Sequence, residues 1–456
     1  MYKRLKYIYP FIVFFVAGVA YSQPVQGLSE RKLNNGLDVI ILQNNAAPIV
    51  TVEIAAKNGS FTEPPEYNGL SHLYEHMFYK ADSVLPSQQY FLQRVGELGA
   101  IWNGRTETER VFYYFTLPSY NLDPGLKFLS DCIRKPLFDS VELEKERHVV
   151  IGEIDRNESL PFFTFQNALD DSLWWKYPSR KNPLGNRQTV LSANRAKMYF
   201  IKNKYYIPNN AALIIGGDVN VDSALYYANK YFADWKPGPD PFTIDPVPEH
   251  PPLPHKELVV VPSPGIPYVL AKYQFQGPSI GKDDKSTWTA DVFFDMLTRP
   301  TSRLQHRLVD GGYAQGVSEI YITQRHTGPI SVTIQTVPAK FDTAMDLLRD
   351  EMSHWDDTSY FSDSELANTK EAFRLREIYD QQSTSNYVLE TLCFWWCSAS
   401  LDYYMNYVKN IQTVTKKDVA EFVDKYIKNK NYVLGVSSSR ENLQALKLDK
   451  ASLLKF

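Results

Sequence analysis

The sequence predicts an α+β protein made of two homologous halves, each an α/β sandwich in which helices pack on a mainly antiparallel sheet. Strand-like stretches alternate with longer helix-like stretches along most of the 456 residues. A proline-rich segment near the middle interrupts this alternation, and a similar order of elements resumes after it. A chain of this length is expected to form more than one structural unit. A duplicated domain, with the same order of strands and helices on both sides of the proline-rich segment, would account for this pattern.

The N-terminus carries the pattern of an export signal. Three basic residues lie within the first six positions, and a largely apolar stretch over residues 8–19 follows them. The small residues Ala20 and Ser22 predict cleavage before Gln23, so residues 1–22 would form a signal peptide. An uncleaved anchor is the alternative, but the apolar stretch is short for a membrane span. We expect a periplasmic or secreted protein that is not attached to a membrane after cleavage.

Each half begins with two predicted strands. In the first half, residues 37–42 and 49–56 are rich in apolar and β-branched residues. After the proline-rich segment, residues 258–261 and 268–275 repeat this pair. Helical stretches follow in both halves, over residues 123–134, 140–159, 341–355 and 363–382.

The proline-rich segment divides the chain into predicted domains. Eight prolines between Lys236 and Lys256 fix backbone angles and remove hydrogen-bond donors, which excludes a helix or a central strand. We therefore expect a semi-rigid extended linker over residues 237–256. An N-terminal domain over residues 23–236 precedes it, and a C-terminal domain over residues 257–456 follows.

Composition narrows the range of functions. The formal net charge of −3 gives no electrostatic reason to expect nucleic acid or an anionic membrane as a partner. The three cysteines are an odd number and do not form a disulfide framework. Cys393 and Cys397 lie four apart in an apolar stretch, which is typical of buried thiols on one helix face.

The run His72-Leu73-Tyr74-Glu75-His76 is the strongest indication of chemistry. Residues four apart lie on one face of a helix, so His72 and His76 are predicted to bind one metal ion together. Two imidazoles and a carboxylate are ligands that zinc prefers. Glu75 lies close enough to that face to contact a metal-bound water. The order His-x-x-Glu-His is the inverse of the common zinc-peptidase motif.

A catalytic zinc site needs a third protein ligand. The best candidates lie on a predicted helix that begins after Asp139, where Asp139 and Glu142 have the spacing of a capping box. Glu146 and Glu153 are seven apart on one face of this helix. A buried carboxylate is costly unless it is paired or binds a metal, which makes Glu153 a candidate ligand and Glu146 a candidate partner of a ligand. The spacing alone equally fits two solvated helix charges.

Taken together, these residues resemble the pitrilysin or insulinase family of zinc metallopeptidases with the inverted motif, which includes bacterial relatives of mitochondrial processing peptidase. The resemblance covers nearly all of the mature chain. The family's third ligand is a downstream glutamate with an acidic residue seven positions before it; Glu153, 77 positions beyond His76, and Glu146 match this arrangement. A family strand of the form Asn-Ala-x-Thr-x-x-Asp resembles residues 103–109, in which Glu109 replaces the aspartate.

The resemblance implies a zinc-dependent endopeptidase or oligopeptidase. Three residues would bind Zn²⁺: His72, His76 and Glu153. Glu75 would then act as the general base for the attacking water, and Glu146 would orient a histidine ligand. An extended peptide substrate would add to an edge strand, with contacts at Trp102, Asn103 and Gly104.

The second half departs from the family's pattern. Active relatives carry an arginine and a tyrosine that bind substrate and stabilise the oxyanion, but Val309 and Gln315 stand at these positions. Arg307 and Tyr313 lie close by in the wrong register. The loss of such donors costs about 3–4 kcal/mol of transition-state stabilisation. We expect a homologous subunit to supply the pair in a heterodimer; a homodimer is the alternative.

A non-catalytic subunit of the same fold, structural or peptide-binding, is the alternative function. Its sequence would be free to lose the metal-binding set, whereas this chain keeps His72, Glu75, His76 and Glu153. A maturation factor that rarely turns over is a third reading.

Overall fold

Eleven strands form two β-sheets, one in each half of the chain. The computed structural model describes residues 25–456, so the predicted signal peptide lies outside the described residues. The strands of the first sheet are β1 (Leu28–Lys32), β2 (Asp38–Gln43), β3 (Ile49–Ala56), β4 (Ile101–Thr106), β5 (Val111–Pro118) and β6 (Ala211–Gly217). Those of the second sheet are β7 (Glu257–Pro262), β8 (Val269–Gln276), β9 (Gly316–Tyr321), β10 (Pro329–Thr336) and β11 (Val433–Ser438).

Helices connect the strands and cover the sheets. In the first half and the linker they are α1 (Leu70–Phe78), α2 (Gln88–Leu98), α3 (Leu122–Arg134), α4 (Ser140–Glu158), α5 (Pro161–Leu173), α6 (Arg187–Leu191), α7 (Arg195–Tyr205), α8 (Val221–Phe232) and α9 (Pro241–Ile244). In the second half they are α10 (Asp284–Thr298), α11 (Arg303–Gln305), α12 (Phe341–Ser353), α13 (Asp363–Asp380), α14 (Thr384–Asn386), α15 (Cys393–Ser398), α16 (Leu401–Thr413), α17 (Lys416–Tyr426), α18 (Arg440–Leu446) and α19 (Lys450–Leu453). Two π-helical turns, His306–Asp310 and Tyr387–Leu392, follow α11 and α14. From residue 25 onwards, each helix is too short or too polar to cross a bilayer.

The two sheets share one strand order. Apart from the outer strand β1, the first sheet runs β2-β6-β3-β5-β4 and the second runs β7-β11-β8-β10-β9. In each sheet the first of these pairs is parallel, and the remaining pairs are antiparallel. The predicted strands correspond to β2, β3, β7 and β8 with ends moved by at most one residue. The predicted fold class of two mainly antiparallel α/β halves is confirmed.

Each sheet is covered on one face by a segment from the opposite half. Helix α5 of the first half packs on β7, β8 and β11, and residues 384–398 of the second half pack on β3 and β6. The backbones approach closely because glycine stands at each contact. A Cβ atom at Gly216 would collide with Val388, and one at Gly435 would collide with Leu169 and Phe165. Each half has its own main apolar core, and two smaller apolar clusters join residues of both halves.

The linker contains one helical turn, α9, so the prediction that its prolines exclude a helix is wrong at this point. Asp240 accepts a hydrogen bond from the N–H of Phe242 (2.9 Å), and Pro241 occupies the first helical position. Proline is tolerated there because the first N–H of a helix has no partner within the helix. Outside this turn the linker has neither helix nor strand, as expected.

The predicted capping box of α4 forms only in part. Asp139 accepts hydrogen bonds from the N–H groups of Val141 (2.9 Å) and Glu142 (3.0 Å). The carboxylate of Glu142 instead accepts from the N–H groups of Ala81 (2.8 Å) and Gln88 (3.1 Å). Glu142 therefore links α4 to the segment after α1 and to the start of α2, and it does not cap the N-terminus of its own helix.

The cysteines are buried and free, as expected. Cys132 lies on α3, and Cys393 and Cys397 lie on the short helix α15. Among the described residues, one group of three side chains is placed so that it could hold a metal ion, and it contains no cysteine.

Candidate metal centre

The helix that carries the motif is fixed at its N-terminus by Glu63. Both carboxylate oxygens of this buried side chain accept backbone hydrogen bonds, from Gly69 (2.7 Å) and Ser71 (2.6 Å). Burial raises the pKa of Glu63 to about 7, although these hydrogen bonds oppose the change. The helix is then oriented by its buried side chains, which include Leu70, Leu73, Tyr74 and Met77.

Three side chains converge on one point between α1 and α4. The Nε2 atom of His72 lies 3.4 Å from Oε2 of Glu153, and Nε2 of His76 lies 3.7 Å from the same oxygen. One ligand atom from each residue lies within 4.8 Å of the others. The structure therefore brings together the two histidines of the motif and the glutamate expected 77 positions later.

Glu146 lies behind the histidines on α4. Its Oε2 is 3.1 Å from Nδ1 of His76, and its Oε1 is 2.7 Å from Nζ of Lys80. Because the Nδ1 of His76 is occupied in this way, its Nε2 is the nitrogen that faces Glu153. Lys80 and Glu146 are both buried, so the ion pair compensates two charges that would otherwise be costly.

The electrostatics differ between the two histidines. Burial lowers the pKa of His72 to about 4, and the charge of His76 adds to this effect. Burial also acts to lower the pKa of His76, but hydrogen bonds to Glu146 and Glu153 outweigh it and raise the value to about 9. A hydrogen bond from His76 lowers the pKa of Glu153. The cluster thus holds one imidazole neutral and keeps its carboxylates ionised.

Glu75 is not part of the converging group. It points to the end of β4, where the hydroxyl of Thr106 donates a hydrogen bond to Oε2 of Glu75 (2.7 Å). Burial raises the pKa of Glu75, and the hydrogen bond from Thr106 opposes this change. The carboxylate is therefore held beside the three clustered side chains by a contact with the edge strand.

The donor set fits zinc. Two imidazole nitrogens and one carboxylate oxygen are the ligands of many catalytic zinc sites, which keep a fourth position for water. The partner of His76 matches the common arrangement in which a carboxylate holds the far nitrogen of a metal-binding imidazole.

Three contributors to the site did not emerge from the sequence: Glu63, Lys80 and Thr106. Lys80 follows His76 by one helical turn, which is the signal that could have indicated it. Thr106 belongs to the strand motif already compared with the family, but nothing in its spacing indicates a bond to Glu75. Glu63 lies in a loop, and its capping role depends on how that loop folds back.

The three predicted substrate contacts lie on β4, the free edge strand of the first sheet. Side chains alternate along it, so Trp102, Gly104 and Thr106 share one face, and Asn103 lies on the other. The Trp102 ring packs against Tyr79, with centroids 4.5 Å apart. The exposed side chain of Asn103 accepts a hydrogen bond from the N–H of Gly104 (2.9 Å).

The arginine near the expected oxyanion position is engaged elsewhere. Arg307 lies in the π-helical turn after α11 and bonds to Asp350 and Glu351 of α12, at 2.5 Å each. Gln315 accepts a hydrogen bond from the side chain of Gln335 (3.0 Å). Gln315 stands at the position of the family's tyrosine, and Arg307 lies two residues before the position of the family's arginine, which Val309 occupies.

The chain matches two family models that together cover most of its length. Residues 39–185 match the model described as "Insulinase (Peptidase family M16)", and residues 192–373 match "Peptidase M16 inactive domain". An uncharacterized zinc protease of Rickettsia felis is 29% identical over 207 residues, which are 45% of this chain and 50% of that protein. The zinc protease PqqE of Helicobacter pylori is 24% identical over 285 residues, 61% of this chain and 63% of PqqE. The matched region spans about half the length of the Rickettsia felis protein and of the Bacillus subtilis zinc protease YmxG.

Solved structures share the fold. A Helicobacter pylori protease superposes with a TM-score of 0.79 at 19% identity, covering 90% of this chain and 99% of that one. The periplasmic protease PqqL of Escherichia coli gives a TM-score of 0.75 at 18% identity, covering 94% of this chain and 49% of PqqL. At this identity the likeness shows the fold alone. With both family models matched in order along the chain, the protein belongs to the M16 insulinase family of peptidases.

Proposed function

We propose that this protein is the zinc-bearing subunit of a peptidase that hydrolyses extended peptides. The observation that carries the proposal is the convergence of His72, His76 and Glu153, with a separate carboxylate beside them. Zinc, when bound by these three side chains, would supply a Lewis acid that activates water and polarises a peptide carbonyl. Relatives named zinc proteases support this reading.

Glu75 is the proposed general base. It lies on the same helix as both histidines yet does not belong to the clustered group, so its carboxylate remains free for protons. It takes the proton of the attacking water and later gives it to the leaving amine. Thr106 holds one oxygen of Glu75, which fixes the orientation of the other.

The proposed substrate site is the free edge of β4. An extended peptide can add to an unpaired strand edge through backbone hydrogen bonds, which favours unfolded peptides over folded proteins. Trp102 is held by its aromatic neighbours Tyr79 and Phe91. At Gly104 a Cβ atom would collide with the hydroxyl of Tyr79, so the glycine lets the edge strand lie close to that ring. Asn103 lies on the opposite face from Thr106, so we expect it to contribute mainly through its backbone or as a polar edge contact.

The missing oxyanion donors lead us to propose a partner. Because Arg307 is bound by two carboxylates, the second half offers no free arginine at this position. A homologous subunit with the Arg/Tyr pair would complete the site in a heterodimer. We further propose export by residues 1–22 and the domain limits predicted above, with zinc bound in residues 23–236.

The test combines metal analysis with a quenched-fluorescence peptide assay. We expect one zinc per chain and hydrolysis that a chelator abolishes, either alone or after a homologue with the Arg/Tyr pair is added. Glu75→Gln should retain zinc and lose hydrolysis. One zinc per chain without turnover under any of these conditions would favour a peptide-binding subunit, and absence of zinc would refute the proposal.

A further inference from the structure

The turn between β4 and β5 is bound directly to the second half of the chain. Glu109, which is 5% exposed, accepts hydrogen bonds through both carboxylate oxygens. The donors are the backbone N–H groups of Arg325 and His326, each at 2.8 Å. These residues lie in the connection between β9 and β10. Because the connection is the counterpart of the β4–β5 turn in the duplicated plan, equivalent turns meet at this contact.

The connection is held by an opposite charge as well. Lys181 is partly buried, and its Nζ donates hydrogen bonds to the carbonyl oxygens of His326 and Thr327, each at 2.7 Å. The first half thus binds the β9–β10 connection in two ways. The carboxylate of Glu109 accepts from backbone N–H groups of the connection, and the ammonium group of Lys181 donates to its carbonyl oxygens. Charged groups with several hydrogen bonds give a contact of defined geometry.

Two arginines attach the same strand end to a different part of the second half. Arg105 lies 3.0 Å from Glu390, and Arg110 lies 3.2 Å from it. Arg110 also donates to the carbonyl oxygen of Leu389 (3.3 Å). Residues 105–110 therefore have attachments to the second half on both sides of Glu109.

The attached segment includes the residue that holds the proposed base. Thr106 precedes Glu109 by three positions, and its hydroxyl bonds to Glu75. The turn also accepts backbone hydrogen bonds from Ser60 (3.3 Å) and Phe61 (2.9 Å), in the loop that leads to the motif helix. The clustered side chains have their own bonds between α1 and α4, which do not involve this turn.

We propose that Glu109 is a positioning residue, through which the second half holds Thr106, and so Glu75, in the geometry required for proton transfer. The inference rests on the proposed function, because it takes Glu75 as the base. It assigns the half that lacks a metal site a role in the reaction of the other half. It also predicts that loss of the Glu109 contact changes the position of Glu75 and of the edge strand, and leaves the zinc affinity unchanged.

Glu109→Gln tests the proposal in the zinc-loaded full chain, together with its partner chain if activity requires one. The amide retains the shape but directs an NH₂ group at one of the two backbone N–H donors. A displacement of the base by a fraction of an ångström is expected to lower kcat by about ten- to a hundredfold. KM should rise, because the edge strand moves with the turn, and the zinc dissociation constant should stay within about twofold.

Glu107→Gln is the matched control. Glu107 lies in the same turn but bonds to Arg105 and Arg110 of its own half. Glu107 is itself only partly buried, and Arg105 and Arg110 keep their bonds to Glu390 in this variant. We therefore expect its effect on kcat to be less than about threefold. A purely structural role for Glu109 would instead lower activity in proportion to zinc content and folded fraction, with KM unchanged.

A double-mutant cycle with Thr106→Val identifies the route of the effect. If Glu109 acts through Thr106, the kcat of the double variant should be only slightly lower than that of the less active single variant. Additive losses of activity would overturn that route.

Hydrogen exchange of the backbone amides of residues 101–110 is a measurement that does not depend on activity. Glu109→Gln should accelerate this exchange, and unchanged exchange would overturn the proposal. An inactive wild-type chain with altered exchange in the variant would refute the proposed function and leave the contact established.

Discussion

Replacement of Glu146 by glutamine should weaken zinc binding and also lower the free energy of unfolding, for two different reasons. The substitution removes the charge that faces Nδ1 of His76 and leaves Lys80, 6% exposed, without its carboxylate. Loss of a carboxylate that supports a metal-binding imidazole weakens metal binding by about 10- to 100-fold. Loss of one member of a buried ion pair costs about 3–5 kcal/mol, and the lower end applies because glutamine still accepts a hydrogen bond.

Two measurements check this expectation. Competition with a chromophoric chelator gives the zinc dissociation constant, and urea denaturation of the metal-free protein gives the free energy of unfolding. The matched control is Glu144→Gln, because Glu144 lies on the same helix, is exposed, and pairs only with Arg147 and His148. It should leave zinc affinity unchanged and shift the free energy by less than about 1 kcal/mol.

A second variant separates the two roles of Glu146. Combining Glu146→Gln with Lys80→Met removes the uncompensated ammonium group, so much of the lost stability should return. The zinc affinity should remain low, because the partner of His76 is still missing. An unchanged dissociation constant in the single variant would refute the assignment of Glu146 to the metal centre.

Three further outcomes are expected. Glu153→Ala should weaken zinc binding by more than the roughly 100-fold limit for residues that only support a ligand, as measured by the same competition assay. Burial raises the pKa of Glu319 to about 8, so the folded chain holds a proton that the unfolded chain releases near its usual value of 4.5. Stability should therefore fall between about pH 5 and pH 8, by up to about 5 kcal/mol, and Glu319→Gln should flatten this dependence in urea denaturation. Gly435→Ala should lower the free energy of unfolding by about 1–3 kcal/mol through collision with Phe165, whereas Gly96→Ala, in open space on α2, should raise it by up to about 1 kcal/mol.

The local elements of the fold could be predicted from the sequence because their signals are local. The strands at 49–56 and 268–275 follow from β-branched runs, and α4 follows from its helical periodicity. The strand order could not be predicted, because the pairing of β2 with β6 joins segments about 170 residues apart, and no local pattern encodes it. The exchange of covering helices between the halves is also non-local. It leaves only a trace in the sequence, in the glycines at positions 216 and 435.

The candidate site shows the same division. The spacing of His72 and His76 defines a shared helix face, so their convergence follows from the helix itself. Glu153 needed the family resemblance, because the spacing alone equally fitted a solvated charge. Thr106 and Glu63 act across turns and loops, and their contacts depend on tertiary packing rather than on position in an element. The candidate metal ligands could therefore be predicted from the sequence, whereas most of the residues that orient them could not.

The second half shows what the same scaffold does without a metal. On α10, the counterpart of the motif helix, Asp291 and Asp295 repeat the four-residue spacing of the histidines. Arg299 and Arg376 bond to Asp295, at 2.7 and 2.9 Å, and Arg376 lies on α13, the counterpart of the helix that carries Glu153.

Glu153 in the first half and Asp295 in the second are both partly buried, so each carboxylate is stabilised by charged or polar partners. In the first half, Glu153 meets two imidazoles, an arrangement that a divalent cation can join. In the second half, two arginines bond to the carboxylate of Asp295, so this carboxylate already has cationic partners. An ion pair of this kind leaves no donor set for zinc, which agrees with the single metal-binding group found among residues 25–456. The two halves thus share a strand order, but among the described residues only the first carries a candidate metal-binding group, and the contacts of Glu109 connect the second half to the strand beside it.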